Sequence, residues 1–242
     1  MATVEPVPAT RREQLKAERR AQLLDAGARL IADRGFLGVR LDDLGAAVGI
    51  SGPAVYRHFA NKEALLVELL VGISERLLAG GRSVVASAAS PADALEGLIE
   101  FHLDFAFGNP ELIRIQDRDL DNVPTPDRRI LRRTQRQYVE IWVGVLRQVH
   151  PDLAEETARI QAHAAFGLIN STPHSASQAT AIRARPVLRE MALAALVGVS
   201  HRQSLESLRE QGRIQPAREP KRRAVEPIEG SGTVSDLVEE NR

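Results

Sequence analysis

The stretch from Gly35 to Leu66 constrains this chain more tightly than any other part of it. Leu41, Leu44 and Val48 recur at i, i+3 and i+7, the spacing of one helix face. Gly49 follows where a left-handed C-terminal residue is expected, because glycine has no Cβ to clash there. Ser51 is a natural N-cap for a second short helix, and Pro53 sits in its first turn, where a missing N–H does no harm. Val55 and Phe59, four apart, should face the core, so Tyr56, Arg57 and His58 turn much of their polar surface outward. Asn61 is a further N-cap, and Lys62 opens the longer helix that follows. The pattern predicts two short helices joined by a tight turn, with Ile50 plugging the gap and a third helix leading away.

A hairpin built only for packing has no need of Tyr-Arg-His on its outer face and a lysine four residues beyond His58. Those residue types bind phosphate oxygens and read guanine edges. A helix pair of this shape fits its second member into the DNA major groove.

On Ala28, Leu30, Ile31, Gly35, Phe36, Leu44, Gly49, Ile50, Ser51, Val55, Tyr56, His58, Phe59, Lys62, Glu63 and Leu65, the chain resembles the TetR family of bacterial transcriptional regulators. The resemblance implies a three-helix DNA-binding head followed by a divergent helical body. It implies phosphate contacts at Tyr56, His58 and Lys62, and base-facing positions at Gly52, Pro53 and Arg57. The family commonly has a hydroxyl residue at position 40, where this chain has Arg40. It commonly has Gly-Thr at 53–54, where this chain has Pro53-Ala54, so a phosphate-binding hydroxyl is absent. Arg40 either replaces that affinity as a charge or reaches a base. The expected DNA-binding set is therefore Arg40, Ser51, Gly52, Pro53, Ala54, Tyr56, Arg57, His58 and Lys62.

Formal net charge is zero, from 32 basic and 32 acidic residues, but only the contact face of a DNA-binding protein must be positive. Arg11, Arg12, Lys16, Arg19 and Arg20 cluster at the start of the first helix, against Glu13 and Glu18. This segment either lies along phosphates or is a solvated helix start. Without cysteine, disulfides, thiol catalysis and cysteine-based zinc sites are excluded. The longest apolar run, Met191–Val199, is far short of the ~18 residues of a membrane span. The first residues are polar and lack a signal-peptide core, and a cytoplasmic protein without a membrane partner is expected. Gly49-Ile50-Ser51-Gly52 is misspaced for a nucleophile elbow, and no Walker loop, dinucleotide fingerprint or His-x-x-x-His pair occurs. No catalytic residues, metal or cofactor are expected.

Along the chain, residues 1–10 read as disordered and 11–80 as the head with its connecting helix. Residues 81–211 read as a helical ligand-binding and dimerisation domain, and 212–242 as a disordered tail. Helices are expected over Glu13–Arg34, Asn61–Gly80, Ser90–Phe107, Glu111–Leu120, Asp127–Val149, Asp152–Asn170 and Arg185–Arg209, with a turn at Asn122–Pro126. No stretch alternates with period two, so an all-α protein is predicted. The last two helices carry small residues, Ala158, Ala162, Ala165, Ala192, Ala195 and Gly198, beside Leu168, Ile169, Leu188, Met191 and Leu196. Close helix approach within the chain would explain them. The resemblance implies instead a homodimer through these two helices, which would present two reading helices to an operator of double-stranded DNA.

Aromatic residues make up only 4% of the chain, yet several gather in the body. Phe101, His102 and Phe105 share one helix, Tyr138 and Trp142 another, and His163, Phe166 and Asn170 a third. They are read either as core packing or as an apolar cavity with polar anchors for a small-molecule effector. Arg114 and Gln116 are further candidates for a polar group. The body also resembles actinobacterial regulators of fatty-acid or acyl-CoA breakdown, which implies an acyl-CoA or fatty-acid-like effector. The expected function is a ligand-responsive repressor; the alternative is an effector-independent structural DNA-binding protein of the same fold.

Overall fold

The computed structural model describes residues 10–172 and 180–198. The expectations of disorder at the start and in the tail, and of a helix reaching Arg209, fall wholly or largely on residues outside these. Among the described residues the protein is all α-helical, without a strand. No helix there is long and apolar enough to cross a membrane.

The head contains α1 (Arg11–Arg34), α2 (Leu41–Val48) and α3 (Gly52–Val55), and α4 (Lys62–Ser87) leads out of it. Helix α1 starts two residues earlier than its apolar pattern indicates, because Thr10 and Glu13 form a reciprocal capping box: the Glu13 N–H donates to Thr10 Oγ1 at 3.3 Å and the Thr10 N–H to Glu13 Oε2 at 2.8 Å. Gly49 ends α2 at φ +71°, in the left-handed region. The second short helix is shorter than expected. Regular α-helix stops at Val55, and Tyr56, Arg57 and His58 occupy the turn that continues it, with the His58 N–H donating to Val55 O at 2.8 Å. Ser51 stands at the N-cap position, but its side chain makes no capping bond. Asn61 does cap α4, its Oδ1 accepting from the Ala64 N–H at 2.7 Å.

Helix α4 continues well past Gly80, where the sequence reading ended it. Gly80 and Gly81 act as notches rather than stops. A Cβ on Gly80 would lie 2.1 Å from the Phe101 ring, and one on Gly81 would lie 2.7 Å from the Tyr138 ring. The missing side chains let neighbouring helices seat aromatic rings against the α4 backbone.

The body adds α5 (Pro91–Gly108), α6 (Pro110–Asp119), α7 (Thr125–Val149), α8 (Glu155–Ile169) and α9 (Ala181–Val197), with a 3-10 turn at Leu120–Asn122. Ser90 caps α5, accepting from the Asp93 N–H at 3.1 Å, with Pro91 at the first helical position. Helix α9 begins before Arg185 and carries Pro186 inside it, which removes one bond of its ladder. Arg185 pairs with Glu100 and Asp104, and Arg189 with Glu96 and Glu100, so a partly exposed charge network fastens α9 to α5.

Two apolar clusters result. The head cluster joins Leu23, Ile31, Leu44, Val55, Phe59, Leu65 and Leu66; the body cluster centres on Leu98, Ile99, Leu103, Trp142, Leu146 and Ile169. Most of the small residues expected at an intersubunit seam fill this second core instead: Ala158, Ala162, Ala165 and Ala192 are buried within the chain, as are Leu188 and Leu196. What α8 and α9 leave outside is an apolar surface of Ile160, Ile182, Val187, Met191 and Val197, each at least half exposed.

Candidate functional site

The outer face of the head is set by what lies beneath it. Val55 and Phe59 are almost wholly enclosed, and their burial fixes the turn between them. Tyr56 and Arg57 point away from that core and are exposed, as are Arg40, Ser51 and Pro53, while Gly52 and Ala54 are partly covered. Arg40 has no acceptor with which to cap α2. The Asp43 carboxylate takes that role, accepting from the Arg40 N–H at 2.8 Å, which leaves the guanidinium on the surface.

His58 is half-buried, and its Nδ1 is enclosed without a hydrogen-bond partner. Burial, reinforced by the charges of Arg20, Lys16 and Arg19, holds its pKa below the ordinary imidazole value.

The basic cluster on α1 divides into two groups. Arg20 lies over the Phe59 ring at 4.5 Å, pairs with Glu68 of α4 and donates to His58 O. Arg19 donates to Val48 O at the end of α2. These two arginines tie α1 to α2, the α3 turn and α4. Arg11, Arg12 and Lys16 stay exposed on the first turns of α1.

Lys62 is turned towards the head. Its Nζ donates to Phe36 O at 2.7 Å and lies 4.3 Å from the centre of the Phe36 ring. The Phe36 N–H donates to Asp119 Oδ1 at 3.1 Å, in a buried bond that spans head and body. Arg118 pairs with Asp119 and donates to Ile31 O near the end of α1. The loop after α1 is thus held on one side by α4 and on the other by the end of α6. Nothing in the sequence singles out Arg118 and Asp119, because their partners lie more than eighty residues away.

Helix α6 has a second face. Leu112 and Ile115 pack into the head cluster. Ile113, Gln116 and Asp117 line a cavity of about 220 Å3 in the body. Six of the eight aromatic and polar residues singled out in the body line this cavity too: His102, Phe105, Tyr138, His163, Phe166 and Asn170. Trp142 stands behind the wall, fully buried, edge-on to Phe166 with ring centres 5.0 Å apart. Phe101 is turned to the Gly80 notch and is not part of the lining, and neither is Arg114. Sequence reading missed Ser74 and Leu77 of α4, Ile113 and Asp117 of α6, and Gln135 and Val139 of α7. None belongs to an aromatic grouping.

His102 is the polar centre of the wall. Its Nδ1 lies 3.2 Å from Tyr138 Oη and its Nε2 3.2 Å from Asn170 Oδ1. Burial lowers the imidazole pKa to about 4 and raises that of the Tyr138 phenol, so both stay neutral at physiological pH.

Residues 23–69 match the family model of bacterial regulatory proteins of the tetR family, and residues 88–174 match that of the tetracyclin repressor-like C-terminal domain. The chain is 30% identical over 132 residues to the HTH-type transcriptional repressor KstR2 of Rhodococcus jostii. That alignment takes in 54% of this chain and 65% of the relative, just under two thirds of its length. The structure of the ketosteroid transcriptional regulator KstR2 of Mycobacterium tuberculosis superposes with a TM-score of 0.66 at 24% identity, over 74% of this chain and 94% of that one. AibR, solved in complex with isovaleryl coenzyme A and operator DNA, superposes with a TM-score of 0.60 at 19% identity, over 72% of this chain and 97% of that one. With both the head and the body of the chain matched to its models, the protein belongs to the TetR family of bacterial transcriptional regulators.

Proposed function

We propose that the protein is a dimeric repressor that binds a palindromic operator and is modulated by a small, mainly apolar effector. The observation that carries this reading is the pairing of an enclosed Val55 and Phe59 with an exposed Tyr56 and Arg57 on one turn. Such a turn holds a phenol and a guanidinium at fixed positions for phosphates and base edges. Arg40, Ser51, Gly52, Pro53, Ala54, His58 and Lys62 complete the proposed contact surface. The outer apolar face of α8 and α9 supports pairing with a second copy, which would set two such turns about 34 Å apart. Repression is supported by likeness to the KstR2 repressors.

The cavity favours an effector-responsive protein over a purely structural one. AibR, of the same fold, was solved with an acyl-CoA and its operator, which supports an acyl-CoA or fatty-acid-like effector here. Helix α6 supports a route between the two sites, since one of its faces lines the cavity and its end holds Phe36 and Ile31. A guest that binds one placement of α6 better than another would shift the head accordingly. Selection of bound sequences from a random duplex library by the full chain tests the reading. Enrichment of a two-fold symmetric site is expected, and enrichment of none at low salt would overturn it.

A further inference from the structure

The cavity joins hydrocarbon walls to polar groups that, among the described residues, include no lysine or arginine. Leu77, Phe105, Ile113, Val139 and Phe166 supply apolar and ring surface. The polar lining, among the described residues, consists of hydroxyl, amide and imidazole groups and one carboxylate, Asp117, which is exposed; it includes no Lys or Arg. His102 has both nitrogens engaged. Because Asn170 Oδ1 can only accept, Nε2 carries the proton, and Nδ1 accepts from the Tyr138 hydroxyl. This relay engages only the oxygen of the Asn170 amide. Its Nδ2, with two N–H donors, belongs to the same cavity wall.

An ionised guest fares badly in such a place. A carboxylate taken from water without a cationic partner loses solvation that neutral donors do not restore. The His102 imidazole supplies no counter-charge, since its pKa of about 4 lies roughly three units below neutral pH, and the other imidazole of the lining, His163, is exposed, where water weakens any ion pair. An uncharged oxygen needs no counter-charge and accepts from an amide N–H as well as it does from water. The volume of about 220 Å3 leaves room for a chain of seven or eight heavy atoms, at the roughly 30 Å3 each occupies in a liquid.

We infer that the cavity takes the uncharged oxygen function of a medium-length lipophilic molecule, a ketone, alcohol, ester or thioester, on the Asn170 amide N–H, and discriminates against the free carboxylate. This rests on the effector reading above and narrows it: an acyl group is admitted as its thioester and rejected as the acid.

Trp142 is the single tryptophan of the chain and packs against Phe166 and His102, so its emission reports the cavity. Hexan-2-one and hexan-1-ol should change that emission saturably in the full-length protein at pH 7.5, and hexanoate should need at least roughly tenfold more ligand. Asn170→Asp keeps an acceptor for His102 and removes both N–H donors. It should weaken hexan-2-one binding by roughly 5- to 10-fold while leaving hexane unaffected. Far-UV circular dichroism and Tm of the variant establish that it is folded. Hexanoate binding as tightly as the ketone, an unchanged ketone affinity in the folded variant, or no saturable response to either uncharged probe would overturn the inference. Operator binding by the ligand-free chain is read separately. Its success alongside failure of the probes removes only the ligand class, and the reverse outcome removes only the regulator reading.

Discussion

The head and the body of this protein use their polar residues in opposite ways. In the head, about forty consecutive residues bury most of their large apolar side chains and put arginine, tyrosine and serine on the outside, where a large partner can reach them. In the body, His102, Tyr138 and Asn170 come from three helices spread over nearly seventy residues and turn inward around a space the size of a small molecule. A site for a macromolecule can be written in one local motif on a convex surface. A site for a small molecule is concave and must be assembled from distant pieces.

Five perturbations sharpen or break this contrast. Trp142→Ala should have the largest effect, a loss of about 3–5 kcal/mol in denaturant unfolding, because it empties the centre of the body core. If hydrogen exchange then shows the Phe36 N–H as protected as before, head and body are independent and the contrast is complete. Acid should come next. His102 is neutral in the folded protein down to about pH 4, whereas the unfolded chain takes up its proton below about 6.5. Its contribution is intact above pH 6.5 and is lost as pH falls towards 4, by about 3 kcal/mol in all. A His102→Phe variant should show a flatter acid limb between those values, and the same limb as the parent would contradict the assignment.

Arg57→Ala should leave stability alone and cost about 1–3 kcal/mol of specific operator affinity, relaxing the preference at one base pair. A gel-shift titration with an unchanged midpoint would remove Arg57 from the base contacts. Asp119→Ala leaves the Phe36 N–H without its buried acceptor and should cost about 1–2 kcal/mol of stability. If α6 joins the two regions, it should also alter how far an effector shifts operator affinity. Lys62→Ala separates two roles. As a phosphate contact, Lys62 should lower the salt slope of DNA binding by about one unit on every sequence when removed. As the partner of Phe36 O alone, it should lower Tm and leave that slope unaltered.

The contrast also explains what could be read in the sequence. Caps, glycines and apolar spacing act over three or four residues, so Gly49, Asn61, Ser90 and the run from Leu41 to Phe59 were legible. The aromatic grouping in the body pointed to the cavity because so few aromatics occur elsewhere. It could not tell a ring in the wall from one behind it: Trp142 and Phe105 look alike in sequence, and only packing separates them. Gly80 was misread for a related reason. A glycine that ends a helix and one that admits a neighbour's ring carry the same letter, and the ring here comes from Phe101, twenty-one residues on. Asp119 was invisible because its partner, Phe36, lies 83 residues away.

Helix α6 is only ten residues long, yet it borders both regions. Adapting the cavity to a new guest at Gln116 or Asp117 means changing residues within one turn of the pair that grips the head. Tuning from that side disturbs recognition and response together. Retuning through Val139 or Phe166 leaves the grip untouched, so divergence among proteins with this arrangement should concentrate on the far walls and spare the short helix.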